Sequence, residues 1–213
     1  MKSLRFTPAL FLVLSLFSAC KKDSNNGSNT STSEYYFKGT LNGKATDWEA
    51  TTTGNGWATG SSSSLSNNAG EISGGITALL TNFPAQQPQL GIEFKTFDKG
   101  ANADATTVFN GFVKTGAWAF ASTTDYTIGT KSIVVYYTDS SGNQYSSIGS
   151  QTGSSANILS VTQVTGDAYN ADTGLKIKLT FNCTLYPVGG TGSNITIANG
   201  QATVFLDNLL AGY

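Results

Sequence analysis

The stretch LKIKLTFNCTLY, residues 175–186, decides the fold of this chain. Apolar and polar side chains alternate along it, and this period of two is typical of a half-buried antiparallel strand. The pattern places Cys183 on the apolar face and predicts that it is a buried, unreactive thiol. The apolar positions are Leu175, Ile177, Leu179, Phe181, Cys183 and Leu185.

Shorter apolar runs on either side predict further strands. Asn42-Gly43 and Asn199-Gly200 suit two-residue hairpin turns, whose central residues need positive φ. The polar run Ser61–Ser64 is typical of a loop. We therefore expect an all-β domain, an antiparallel β-sandwich or partly closed barrel of about 8–10 strands. The runs are 35–41, 71–80, 89–97, 131–137, 158–164, 195–197 and 201–206.

One segment, DATTVFNGFVKTG at 104–116, breaks the period of two. Asp104 is a good helix N-cap, and Phe109 and Val113 recur at helical spacing. Lys114 suits the negative end of a helix dipole, and Gly116 suits its termination. We expect one short helix here, covering an edge or end of the sheet.

The chain begins MKSLRFTPALFLVLSLFSAC, which has the layout of a secretory signal peptide. Lys2 and Arg5 form the positive region, and an apolar run follows at 9–17. This run is shorter than the roughly 20 apolar residues of a membrane span. Residues 1–19 are therefore predicted to be a signal peptide that is removed.

The four residues Phe17-Ser18-Ala19-Cys20 resemble the lipobox of bacterial lipoproteins. This resemblance implies that Cys20 is acylated and becomes the N-terminus, so that the membrane is a partner through acyl chains. Residues 21–33 contain no apolar side chain, and we expect 20–33 to be a flexible tether before a domain at 34–213. The run Lys21-Lys22-Asp23 resembles the export signal of Bacteroidota lipoproteins, which favours the cell surface over the periplasmic face of the outer membrane.

Composition excludes several classes of function. Without Lys2 and Arg5 the chain has ten Lys, 13 acids and no Arg or His. Binding of nucleic acid needs a basic face, so no nucleic-acid partner is expected. The absence of histidine removes Ser-His and Cys-His nucleophiles and HExxH zinc sites. With Cys20 acylated, Cys183 has no partner for a disulfide.

The acidic residues are candidates for catalysis. A glycosidase needs only two carboxylates, and Glu71, Glu93 or the pair Asp47 and Glu49 beside Trp48 are candidates. They form no recognisable motif, so we expect a non-enzymatic protein without catalytic residues.

The Asp- and Asn-containing loops at 98–104 and 167–172 lack the order of an EF-hand, and their residues are explained by turn formation. We therefore expect no metal and no cofactor.

The tryptophans carry the remaining functional signal. Trp48, Trp57 and Trp118 lie in or beside predicted loops, and Trp57 lies in a very polar stretch. Such rings pack under their own loop or present a flat face to a ligand such as a glycan or a peptide. The alternative is a structural or accessory subunit of an envelope complex, which a large exposed apolar patch would favour.

From Cys20 onward the chain resembles a group of Bacteroidota lipoproteins. The likeness lies in the opening YYFKGTLNGKATDW, the helix that leads into GAWAF, and the closing TFNCTLYPVGG and ITIANGQATVFL. The resemblance implies a lipid-anchored outer-membrane protein with a β-rich domain. It implies no catalytic residues and no particular ligand.

Overall fold

A computed structural model describes residues 33–53, 55–68, 71–124, 131–170 and 172–208, with only the backbone at 68. The predicted signal peptide at 1–19, the lipidation site Cys20 and the tether up to residue 32 lie outside the described residues. They remain predictions.

The described residues form eleven strands and one helix, which confirms the predicted all-β fold. The strands slightly outnumber the eight to ten expected. The elements are β1 (Tyr36–Leu41), β2 (Lys44–Glu49), β3 (Gly56–Asn68), β4 (Glu71–Phe83), β5 (Gln89–Lys99), α1 (Ala105–Phe112), β6 (Gly116–Phe120), β7 (Ser132–Thr138), β8 (Gln144–Ser146), β9 (Ser155–Thr165), β10 (Thr173–Pro187) and β11 (Ile195–Asp207).

The strands form two sheets that share β6. The first sheet has the order β2-β1-β11-β10-β9-β6, and the second has the order β6-β7-β5-β4-β3. The three-residue strand β8 pairs with both β7 and β10 and so links the sheets a second time. Every pair of strands is antiparallel except β6 and β7, which are parallel. The fold is a sandwich that is closed along one side like a partial barrel.

The alternation along β10 places its apolar side chains between the two sheets, as predicted. Leu179 and Phe181 are almost fully buried, and Cys183 is 3% exposed. Because the thiol is desolvated, the pKa of Cys183 rises to about 12. The prediction of a buried free thiol is confirmed. The second sheet contributes Ile76, Leu80, Leu90, Ile92 and Phe94 to the same core.

Strand β11 corrects the prediction of a hairpin at Asn199-Gly200. The strand runs unbroken through both residues, between β1 and β10. The register with each neighbour slips by one residue beside Asn199, whose φ is +52°. The positive φ that suggested a turn therefore forms a β-bulge. At Asn42-Gly43 φ is +48° and +77°, and the predicted turn between β1 and β2 is confirmed.

Strand β3 corrects the prediction of a loop at Ser61–Ser64, because these residues lie within a strand of thirteen residues. It pairs with β4 along its whole length, and β4 has the apolar pattern that β3 lacks. β1 pairs with β11 only as far as Thr203, which leaves the edge of β11 open beyond it. There the Ser61 hydroxyl donates to Phe205 O at 3.2 Å and accepts from Asp207 N at 2.8 Å.

The predicted helix is confirmed as α1. Asp104 caps it by accepting a hydrogen bond from Thr107 N at 2.7 Å. The helix ends at Phe112, before Lys114 and the expected terminator Gly116. Phe112 packs edge-on against Phe97 of β5, at a centroid distance of 5.3 Å, so α1 covers part of the second sheet.

Candidate functional site

Two of the three tryptophans meet at one end of the sandwich. Trp48 lies on β2 opposite Phe37 of β1, and Phe37 is buried in the core, so both rings are on the inner face. A parallel bridge between Ala50 and Trp57 places the start of β3 beside the end of β2. The two indoles stack, with centroids 4.2 Å apart and planes inclined by 20°.

Two tyrosines of the second sheet extend this stack. Trp48 stacks on Tyr137 of β7 at 6.2 Å and 20°, and Tyr137 stacks on Tyr145 of β8 at 6.0 Å and 26°. The tyrosines are directly opposite each other in the β7–β8 hairpin. We call Trp57, Trp48, Tyr137 and Tyr145 the aromatic row.

The four rings are half-buried and their polar atoms are open to a ligand. Within the described part of the chain, no residue hydrogen-bonds the indole N–H of Trp48 or Trp57 or the hydroxyl of Tyr137 or Tyr145, and none of these atoms is fully buried. Burial and the charge of Asp139 raise the pKa of Tyr137, so its hydroxyl remains a donor at neutral pH.

The row has two inner rings and two terminal rings. Trp48 contacts three aromatic neighbours, Trp57, Phe37 and Tyr137. Among the described residues, Trp57 and Tyr145 each have one aromatic neighbour. The terminal rings therefore have fewer aromatic contacts than the inner rings, and they are the candidates for stacking with a ligand.

Trp118 does not join the aromatic row. It lies on β6, is 8% exposed and packs edge-on against Phe94 and Phe112. Its indole N–H donates to Lys114 O at 2.8 Å. Both the ring faces and the polar atom of Trp118 are used by the core. All three tryptophans lie in strands, and Trp48 and Trp57 are each one residue from a strand end, beside a loop as the sequence suggested.

Tyr137 and Tyr145 were not predicted as site residues. The sequence offered a weak signal for them, because both flank the predicted turn Asp139–Asn143. That turn is present, with Asp139 N bonded to Asn143 O and Gly142 N bonded to Asp139 O. A hairpin with tyrosines before and after its turn places the two rings opposite each other, but their contact with Trp48 depends on the packing of the two sheets.

A pocket of about 440 Å³ adjoins the Tyr145 end of the row. It lies between the β7–β8 turn and the β10–β11 turn and is lined by polar and apolar groups without a charged side chain. The side chains of Gln144 and Thr191 have no hydrogen-bond partner among the described residues. Val188, which also lines the pocket, is 55% exposed.

The candidate carboxylates do not face the aromatic row. Asp47 and Glu49 alternate with Trp48 on β2 and lie on its opposite face, where Lys38 binds them at 3.2 and 2.8 Å. Glu71 is exposed at the start of β4. Glu93 is 3% exposed within β5 and accepts a hydrogen bond from Tyr136 at 2.9 Å.

The two Asp-containing loops are organised by their own backbone. Asp104 caps α1, and Asp167 accepts hydrogen bonds from Tyr169 N and Asn170 N. Across the described ranges, no three Asp, Glu, Cys or His side chains are close enough together to hold a metal ion.

The chain matches no family model, no curated protein and no solved structure. In the part of the chain that the structure describes, α1 is the one helix, and it is too short to span a bilayer. The function therefore has to be inferred from the aromatic row and its surroundings.

Proposed function

We propose that this protein is a non-enzymatic binding module that holds a glycan along the aromatic row. The observation that carries this proposal is the row itself: four half-buried rings whose polar atoms make no hydrogen bond within the described chain. Sugars offer apolar C–H faces that stack on aromatic rings and hydroxyls that pair with ring donors. The aromatic row offers both kinds of group.

The four rings of the row are uncharged, and the charge of Asp139 beside Tyr137 disfavours an acidic ligand, so we favour a neutral glycan. The nearest carboxylates in sequence, Asp47 and Glu49, lie on the other face of β2 and are paired with Lys38. A peptide is the second ligand that the sequence suggests. Extended peptides usually add to a strand edge through backbone hydrogen bonds, whereas the row consists of ring faces.

The scaffold alternative has less support. A docking surface for another envelope protein would expose a contiguous apolar patch of several hundred Å². Among the described residues, the large hydrophobic side chains left exposed are Leu159 and Val188, on β9 and in the β10–β11 turn. The hydrolase alternative also has less support, because the candidate pair Asp47 and Glu49 lies on the face of β2 away from the row and both carboxylates are bound by Lys38.

Fluorescence titration with a panel of neutral oligosaccharides and extended peptides tests the glycan proposal. Trp48 and Trp57 should report binding, and Trp57→Ala should weaken it by about tenfold or more, because a terminal stacking face is lost. Trp57→Phe keeps a smaller ring and should bind with intermediate affinity.

Trp118→Phe is the matched control, since Trp118 lies in the core, and it should leave the affinity unchanged. The unfolding midpoint of each variant shows whether it is folded. The proposal fails if no oligosaccharide binds, or if folded Trp57→Ala binds as tightly as the native protein.

For location, we propose an outer-membrane protein anchored by acyl chains on Cys20, with the cell surface favoured over the periplasmic face. The lipobox resemblance of residues 17–20 supports this. Native protein should incorporate labelled palmitate and fractionate with membranes, and Cys20→Ala should lose the label. Native protein without label would rule out the anchor.

A further inference from the structure

We propose that the pocket beside Tyr145 binds one uncharged sugar unit of the glycan and discriminates against uronic acids. This inference rests on the proposed function, because it assigns a specificity to one end of the aromatic row. It is carried by the pocket's position, its unpaired polar groups and the charge beside it.

The position of the pocket makes it continuous with the row. Tyr145 belongs to both, as the terminal ring of the row and as a wall of the pocket. The strand β8 holds this ring in place, because its neighbour Ser146 is paired with β7 on one side and with β10 on the other. A glycan that stacks on Tyr145 therefore has its next unit at the pocket.

The polar groups of the pocket suit the hydroxyls of a sugar. Gln144 offers an amide that both donates and accepts, and Thr191 offers a hydroxyl. Neither side chain is bonded within the described residues. Asn143 directs its Nδ2 at Asp139 Oδ2, 2.8 Å away, which leaves its amide oxygen as an acceptor.

The apolar groups suit the C–H face of the same ring. Pro187 and the exposed Val188 line the pocket directly beside β8, where Pro187 pairs with Tyr145 and Val188 N donates to Gln144 O at 2.8 Å. A sugar ring placed over these residues would have apolar contacts with Pro187 and Val188 and hydrogen-bond partners in the pocket residues Gln144 and Thr191. This combination is typical of sites for small polar ligands.

The charge beside the pocket sets the expected discrimination. Hydrogen bonds from the side chain and the backbone of Asn143, and from Ser141 N, hold the pKa of Asp139 below its usual value. Asp139 is therefore ionised at neutral pH, directly behind the amide of Asn143. The lining residues include no Lys to offset it. A uronate carboxylate in the pocket would meet this like charge.

The test uses hexasaccharides of glucose, mannose and galactose and their counterparts built from glucuronate, mannuronate and galacturonate. Dissociation constants are measured by calorimetry on the full protein at low salt. We expect the best neutral ligand to bind at least tenfold more tightly than its uronate counterpart. The difference should shrink at higher salt, because the Debye length falls to about 10 Å at 0.1 M.

Three variants test the contribution of the pocket to binding independently of the aromatic row. Gln144→Ala and Thr191→Ala should each weaken neutral binding by about fivefold to tenfold, the loss expected for a hydrogen bond to ligand. Asp139→Asn keeps an acceptor for the turn and should strengthen uronate binding severalfold, with little change for the neutral ligand.

Gln163→Ala and Thr162→Ala are matched controls on β9. They pair with the start of β10, about 40 Å along that strand from Pro187. Both are exposed, and both variants should bind like the native protein.

Each outcome bears on one proposal or the other. If Trp57→Ala weakens binding while Gln144→Ala and Thr191→Ala do not, the pocket is not a sugar site, and the proposal that the aromatic row binds the glycan is supported. Equal affinity for a uronate and its neutral counterpart also overturns the pocket's specificity. If none of the hexasaccharides binds the native protein, the proposed function fails and the pocket's assignment fails with it.

Discussion

Ser61→Ala should detach β3 from β11 at one point and thereby destabilise the sandwich. The hydroxyl of Ser61 makes two hydrogen bonds, to Phe205 O at 3.2 Å and from Asp207 N at 2.8 Å. A typical net contribution is about 0.5–1.5 kcal/mol for each hydrogen bond. Because both backbone groups lose their partner together, we expect the free energy of unfolding to fall by about 2 kcal/mol.

The neighbouring serines provide the control. Ser63 lies on the same face of β3 as Ser61, but it is exposed and has no partner among the described residues. Ser63→Ala should change the free energy of unfolding by less than about 0.5 kcal/mol. Ser61→Thr keeps the hydroxyl and suits a strand, so it should retain most of the native stability.

Thermal unfolding and amide hydrogen exchange are the two assays. A loss of about 2 kcal/mol should lower the midpoint by about 4–8 °C for a domain of this size. Hydrogen exchange adds a local readout, because the amide of Asp207 should lose protection in Ser61→Ala and keep it in Ser63→Ala. Equal stability of the two variants, or unchanged protection at Asp207, would refute the assignment of Ser61 as a link between the sheets.

Three further predictions concern the core. A thiol reagent should react slowly with Cys183 in the native protein and quickly in the unfolded protein, and fast labelling of the native protein would contradict the burial. Cys183→Ser buries a hydroxyl and should lower the free energy of unfolding in denaturant by about 1–3 kcal/mol. Desolvation and the charge of Asp172 raise the pKa of Asp207 to about 6, so its contribution to stability is complete below its unfolded pKa and is lost as the pH rises through about 6. Asp207 is only half-buried, so solvent screening reduces this effect. Relative to the native protein, Asp207→Asn should gain about 1 kcal/mol in free energy of unfolding as the pH rises from about 4 to about 7. If the stabilities of the two proteins change with pH in the same way, the prediction is wrong. Gly200→Ala would place a Cβ 2.8 Å from Phe181 O and should lower the free energy of unfolding by about 1–3 kcal/mol. The Cβ of Gly60→Ala meets nothing within 4 Å, so this control should keep the native stability. Equal unfolding midpoints of the two variants would argue against the bulge geometry.

The strands with strong alternation could be predicted from the sequence, and the polar ones could not. β10 has six apolar positions in register, and its buried face follows directly from them. β3 has no such pattern, because its inward contacts are made by a serine hydroxyl as well as by apolar groups. It is a strand because β4 pairs with it, which no local signal in Ser61–Ser64 indicates.

Prediction of the candidate site from the sequence has the same limit. The sequence selected Trp48 and Trp57 because large rings in polar surroundings are unusual, and these two do stack on each other. It could not separate them from Trp118, whose burial depends on α1 and β5 packing around it. Nor could it add Tyr137, because the contact with Trp48 joins two strands about ninety residues apart in the chain.

The place of β11 in the first sheet also determines when this protein can fold. β11 comes last in sequence among the described strands, yet it lies between β10 and β1 and pairs Tyr36 with Thr203. A nascent chain that has completed β1 and β2 has no partner for the other edge of β1 until residues 195–207 have been made. Loop closure over so long a separation makes sheet formation a late and slow event. For a protein that we propose is exported, this order means that the first sheet is completed only after residues 195–207 have crossed the membrane.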